Sequence, residues 1–175
     1  MILRWMALVM ALWATALPAQ EDQAATEPPM TLERLAAIVQ SLDPDVAVRG
    51  PALEFTLEDI PVIVIADAAA DRMRAMVPIA SAEGLLEADL LRQANFDSAL
   101  DARYAVAHGR LWGVFIHPLT PLEKDELLSG LVQVITVART YGATYTSGGA
   151  VFGGGDSNAI YRELLEKLRK KGEAL

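Results

Sequence analysis

The feature of this sequence that most limits how it can fold is a long amphipathic helix that begins just after Thr120. The start signal is Thr120-Pro121-Leu122-Glu123, in which Thr120 is expected to cap the helix and Glu123 to complete a capping box. Apolar residues then recur at helical spacing up to Gly142, which is placed to end the helix. These residues are Leu127, Leu128, Leu131, Val132, Ile135, Ala138 and Tyr141. Such a stripe has to be buried, so the rest of the chain must supply a core for it.

A β-hairpin is predicted directly before this helix, with strands Ala102–His108 and Arg110–His117 joined by a turn at His108-Gly109. If Ala107 lies opposite Arg110, alternate residues fall on two faces. One face carries Ala102, Tyr104, Val106, Leu111 and Phe115, and the other carries Arg103, Ala105, Ala107, Arg110, Trp112, Val114 and Ile116. Because both faces are apolar, we expect the second to be covered by the C-terminal helix, a second subunit or a ligand.

Shorter elements complete the predicted fold. A helix over Thr31–Leu42 ends at Asp43-Pro44. Three or four segments read as extended: Val46–Arg49 is short and weak, and Leu53–Leu57, Val62–Ile65 and Met73–Ile79 are apolar or alternating. A second helix, Leu85–Asn95, precedes the hairpin, with Asn95 expected as its C-terminal cap, and a last amphipathic helix covers Ala159–Lys171. The order helix–three strands–helix–two strands–helix, plus a C-terminal helix, predicts an α+β fold in which an antiparallel sheet of about five strands has helices packed on one face.

The two ends of the chain differ in composition from its middle. Residues 1–19 carry one charge, Arg4, then an apolar run and small residues up to Ala19, which is the layout of a cleavable secretory signal peptide. The run is short for a bilayer span, so we expect cleavage after Ala19 and a periplasmic or secreted protein, with an uncleaved anchor as the alternative. Residues 20–30 are predicted to be flexible, residues 31–142 to form the α+β domain, residues 143–156 a glycine-rich linker, and residues 157–175 the C-terminal helix.

Composition argues against several classes of ligand. The chain has 23 Asp and Glu against 15 Lys and Arg, a net charge of −8, whereas nucleic-acid binding needs clustered basic charge. It has no cysteine, and His108 and His117 are placed too far apart along the hairpin to share a metal ion. Gly153-Gly154-Gly155 lacks the Lys and Ser/Thr that end a phosphate-binding loop. No metal ion, cofactor or nucleic-acid partner is therefore predicted.

The order of elements resembles that of the type III secretion chaperone fold, which YbjN-like domains share. The likeness covers Thr31–Gly142 and rests on that order, on the run Leu90-Leu91-Arg92-Gln93-Ala94-Asn95-Phe96 before a strand pair, and on the apolar final helix. Members of this fold are typically non-enzymatic dimers that bind polypeptide segments along apolar grooves. The resemblance therefore implies a homodimer with a polypeptide partner. Those chaperones are cytosolic, whereas this chain has a predicted export signal.

The function predicted from these observations is that of a non-enzymatic, exported protein-binding module, chaperone-like or regulatory. Its candidate binding residues are Trp112, Val114, Ile116, Arg103 and Arg110 on the hairpin and Leu32, Leu35 and Val39 on the first helix. In a regulatory version, the C-terminal helix occupies the groove on the first helix until a partner displaces it.

The alternative function is that of a periplasmic hydrolase. The hairpin register brings His117 near Ser98 and Asp101, and an imidazole oriented by an acid can activate a hydroxyl group. No strand–turn–helix context presents Ser98 and no oxyanion donors are evident, so the sequence favours a local hydrogen bond for His117. A concave pocket around the three residues would favour the hydrolase.

Overall fold

The structure is a computed structural model of the 175-residue chain, and it describes residues 27–83, 88–97, 101–141 and 157–172. The helices in these ranges are α1 (Leu32–Leu42), α2 (Ala88–Asp97), α3 (Lys124–Arg139) and α4 (Ser157–Gly172). The strands are β1 (Ala47–Arg49), β2 (Ala52–Leu57), β3 (Ile60–Asp67), β4 (Arg72–Ser81), β5 (Arg103–Ala107) and β6 (Arg110–Pro118).

The six described strands form one antiparallel sheet in the order β1-β2-β3-β4-β6-β5. Helix α1 packs on β2, and α3 packs on β4, β5 and β6. The predicted α+β fold, an antiparallel sheet with helices on one face, is therefore confirmed. The sheet has six strands where about five were expected, because the short β1 pairs with β2 as an edge strand.

The β5–β6 hairpin has the register expected from the sequence, since Ala107 pairs with Arg110 and Tyr104 with Gly113. Its turn residues His108 and Gly109 have φ angles of 50° and 68°. Two positive φ angles in a two-residue turn match the right-handed twist of the strands on either side. The turn thus fixes which residues of the hairpin share a face.

The core lies between α3 and the alternate strand residues that face it. Every residue from Gly130 to Val137 is buried. A Cβ atom added at Gly130 would lie 2.5 Å from Cε1 of Phe115 in β6, so the helix backbone and the sheet approach closely at this point. Gly113 of β6 is similarly close to α3, with a distance of 2.6 Å from an added Cβ to Cγ2 of Val137. These two contacts fix how α3 lies across the sheet.

The long helix begins four residues after its predicted cap. Helix α3 starts at Lys124, and Glu123 donates its backbone N–H to Oε2 of Glu126 at 3.0 Å in a capping box. Thr120 instead donates its N–H and its hydroxyl group to Oδ1 of Asp71, at 2.7 Å in each case. The prediction that Thr120 caps the helix is therefore wrong, because a carboxylate from the β3–β4 turn takes its hydrogen bonds.

Helix α4 packs mainly on α3 and α1, on the helical side of the sheet. Leu164 and Leu168 are buried there. Lys167 Nζ lies 2.5 Å from Oε1 of Glu58 in the β2–β3 turn. The C-terminal helix therefore does not cover the second hairpin face. It was one of the three covers expected from the sequence, beside a second subunit and a ligand.

Some predictions concern residues outside the described ranges, namely the signal peptide (1–19), the linker (143–156), the Gly142 cap and Ser98. Met30, at the end of the segment predicted to be flexible, is buried and donates its N–H to the carbonyl oxygen of Thr120 at 3.1 Å. Within the parts of the chain that the structure describes, no helix is both long and apolar enough to cross a membrane.

Candidate functional site

The face of the sheet that points away from α1 and α3, here called the outer face, is formed by the second set of alternating strand residues. It comprises Ala47, Arg49, Ala52, Glu54, Thr56, Pro61, Ile63, Ile65, Asp67, Arg72, Arg74, Met76, Pro78, Arg103, Ala105, Ala107, Arg110, Trp112, Val114 and Ile116. None of these side chains is buried. No described helix therefore covers the outer face.

The centre of the outer face is apolar. Val114 of β6, Met76 of β4 and Ile63 of β3 lie side by side in one cross-strand row, and each is partly exposed. Ile116, two residues along from Val114, is 55% exposed. Neighbouring apolar side chains that remain in contact with water are typical of an interaction site.

Trp112 extends this apolar centre along the hairpin, where it pairs with Pro78 of β4 and Ala105 of β5. Its indole Nε1 donates to the carbonyl oxygen of Ala107 at 3.1 Å. The guanidinium carbon of Arg110 lies 5.8 Å from the centre of the ring, which is a cation–π contact. Both contacts hold the indole ring against the hairpin.

Positive charge surrounds the apolar centre. The outer face carries Arg49, Arg72, Arg74, Arg103 and Arg110. Its two carboxylates already have partners: Glu54 forms an ion pair with Arg49 at 2.8 Å, and Asp67 accepts the backbone N–H groups of Ala69 and Ala70. Five arginines and two carboxylates give the outer face a net charge of +3, on a chain whose total is −8.

The three candidate residues on α1 do not form one open groove. Leu35 and Val39 are 1% and 0% exposed in the core, whereas Leu32 is 42% exposed. Leu32 and Leu35 border an apolar cavity of about 200 Å³ together with Val48 of β1 and Leu53 of β2. This volume is smaller than that of a typical ligand pocket. It suits a single apolar side chain better than a helix.

A second cavity, here called the polar cavity, has a volume of about 440 Å³ and lies between β6, α3 and α4. Asp101 and His117 both line it, so two of the three predicted hydrolase residues share a site. Gln133 Oε1 accepts the Asp101 N–H at 2.7 Å, and its Nε2 donates to Ser129 Oγ at 3.2 Å. Ser129 Oγ lies 2.7 Å from the Tyr161 hydroxyl oxygen. These bonds hold the start of β5 and α4 against α3.

His117 is oriented by its own backbone. Its Nδ1 lies 2.8 Å from the carbonyl oxygen of Pro118, and its ring stacks on Phe115 with a centroid distance of 6.0 Å. Nδ1 therefore carries the proton and donates it to that carbonyl group, where a catalytic triad would have a carboxylate. Among the described residues, no group of three or more His, Asp and Glu side chains is arranged to hold a metal ion.

The sequence predicted which hairpin residues lie on the outer face, but it did not predict that residues of β3 and β4 lie beside them. Trp112, Val114 and Ile116 lie on it as predicted, but Met76 and Arg74 join them only because β4 pairs with β6. That pairing joins strands separated by α2. Alternation along β4 does place Arg74 and Met76 on one face, yet no local signal states which strand β4 adjoins.

Comparisons with known proteins show no family for this chain. A scan against protein-family models finds no match, and a search of curated proteins finds none.

Proposed function

We propose that this protein is an exported, non-enzymatic binding module that holds a polypeptide partner on the outer face of its sheet. The observation that supports this most directly is the exposure of an apolar surface centred on Val114, Met76 and Ile63, which no described helix covers. Folded proteins seldom leave neighbouring apolar side chains in water without a binding role.

The shape of the outer face favours a polypeptide over a small molecule. Small ligands bind in concave pockets that enclose most of their surface, whereas the outer face is an open side of a sheet. The edge strands β1 and β5 also leave one side of their backbone without a strand partner in the described sheet. An extended segment can add to such an edge and gain main-chain hydrogen bonds with little demand on its sequence.

Binding of unfolded polypeptides tests this proposal. We expect the full chain to bind reduced, amidomethylated α-lactalbumin or lysozyme, and we expect Trp112→Ala to weaken that binding by about tenfold, since exposed aromatic side chains often dominate binding surfaces. Fluorescence anisotropy of the labelled unfolded protein gives the affinity. Because Trp112 is only partly buried, its replacement should cost less than about 3 kcal/mol of unfolding free energy, below the range for a core aromatic residue.

A matched control lies on the other side of the sheet. His117 faces the polar cavity, so His117→Asn should leave polypeptide binding unchanged. The outer face is not the binding surface if neither unfolded α-lactalbumin nor unfolded lysozyme binds. The same conclusion follows if both bind Trp112→Ala as tightly as they bind the original chain.

A hydrolase centred on His117 is the second candidate, because Asp101 and His117 line one cavity. It requires that the imidazole be free to accept a proton from a hydroxyl nucleophile. The hydrogen bond from Nδ1 to Pro118 leaves Nε2 for that role. Loss of a measured esterase activity in His117→Asn, with folding intact, would favour this candidate over the binding module.

A further inference from the structure

We propose that the partner segment on the outer face is acidic as well as apolar, with carboxylates and aliphatic side chains on the side that faces the sheet. This inference rests on the proposed function. The geometry that points to it is the placement of arginines beside the apolar side chains of the same surface.

The arginines lie within the apolar rows. Arg74 of β4 pairs with Ile116 of β6 on one side and with Ile65 of β3 on the other. Arg103 of β5 pairs with Val114 of β6 in the next row. The side of a bound segment that covers these aliphatic side chains therefore also faces guanidinium groups. Carboxylates suit these positions because a guanidinium group can bind both oxygens of a carboxylate at once.

The charge of the outer face is available to a partner. The two carboxylates of this face are already engaged by Arg49 and by backbone N–H groups. In the described part of the chain, Arg72, Arg74 and Arg110 take part in none of the ion pairs. The face has a net charge of +3 while the whole chain has −8, so the positive charge is concentrated where the apolar residues are. A cluster of one sign on a protein of the other sign steers oppositely charged partners to it.

Two other occupants fit this surface less well. A second copy stacked face to face would bring arginines against arginines, and like charges across an interface cost several kcal/mol. An anionic membrane would match the charge, but interfacial binding depends on aromatic and aliphatic side chains that enter the lipid. Trp112 is held along the hairpin by its bond to Ala107 and its contact with Arg110. A polypeptide can bind on an open sheet face without any side chain of the protein having to insert into it.

Two synthetic peptides separate the charge of the partner from its apolar character. They have the same length and the same Ile and Leu positions, and on the side that carries Ile and Leu the other positions are Glu in one peptide and Lys in the other. Isothermal titration calorimetry with the full chain should give an affinity for the Glu peptide at least tenfold higher than for the Lys peptide. The Glu peptide should also bind more weakly as the salt concentration rises, because exposed charge pairs are screened.

Variants of two arginines test whether the preference for the Glu peptide arises on the outer face. Arg74→Gln combined with Arg110→Gln should weaken binding of the Glu peptide by about tenfold, since each exposed charge pair contributes a modest amount. The control is Lys170→Gln combined with Lys171→Gln, which removes the same charge from the exposed side of α4. That control should leave the affinity for the Glu peptide unchanged.

The outcomes distinguish an error in the predicted charge of the partner from an error in the proposed binding function. If the Lys peptide binds as tightly as the Glu peptide and both depend on Trp112, the outer face binds polypeptides but the acidic preference is wrong. If neither peptide binds and vesicles of phosphatidylglycerol do, the occupant is a membrane and both proposals fail. If sedimentation shows a dimer that excludes the Glu peptide, the occupant is a second copy and the acidic partner is likewise ruled out.

Discussion

At the scale of single residues, Gly130 shows how closely α3 and the sheet approach. A Cβ atom at this position would lie 2.5 Å from Cε1 and 2.6 Å from Cδ1 of Phe115. The ring of Phe115 is buried, so it cannot turn away into solvent. We therefore expect Gly130→Ala to lower the unfolding free energy by about 1–3 kcal/mol, the usual cost of overpacking a core. Urea denaturation of the original protein and of Gly130→Ala measures this difference. A Gly130→Ala protein as stable as the original would mean that the helix sits further from the sheet.

At the scale of elements, Asp71 connects the β3–β4 turn to the segment that leads into α3. Its carboxylate accepts both the hydroxyl and the N–H of Thr120, and these hydrogen bonds hold the pKa of Asp71 below its usual value. A lowered pKa in the folded state stabilises the fold above the ordinary pKa of an aspartate, and this stabilisation is lost as the pH falls through the lowered value. We expect Asp71→Asn to reduce stability at pH 7 and to make stability less dependent on pH in the acidic range. Thermal unfolding followed from neutral pH into acid would show this, and an unchanged slope would contradict it.

The elements also show how far the sequence predicts the fold. The hairpin register and the alternation in β2 follow from local patterns, since turn type and period-two burial are properties of short segments. Asn95, expected to cap α2, instead bonds through its side chain to both the N–H and the carbonyl oxygen of Tyr104. Thr120, expected to cap the long helix, likewise donates its N–H to Asp71. In both cases the side chain forms hydrogen bonds with a residue outside its own helix end. Local sequence patterns carry no information about such a partner.

At the scale of the whole molecule, the two faces of the sheet differ in cover and in charge. The inner face is buried under α1 and α3, and α4 adds to that side through ion pairs such as Lys167 with Glu58. The outer face carries the arginines and the apolar centre. The sequence could predict that Trp112 and Ile116 share a face, but not that β3 and β4 extend it. Self-association stays a prediction, and the positive charge of the outer face argues that a dimer would use another surface.

The most direct test of this account is the accessibility of Trp112 in the full chain. Trp5 and Trp13 lie in the predicted signal peptide, and their replacement by Phe leaves Trp112 as the only tryptophan whether or not cleavage occurs. Acrylamide quenching then reports the exposure of the outer face itself. The account predicts that Trp112 is quenched readily in the free protein and becomes protected when the Glu peptide binds. A Trp112 signal that is already protected in the free protein, and does not change with the peptide, would show that the outer face is covered and would contradict the proposed function.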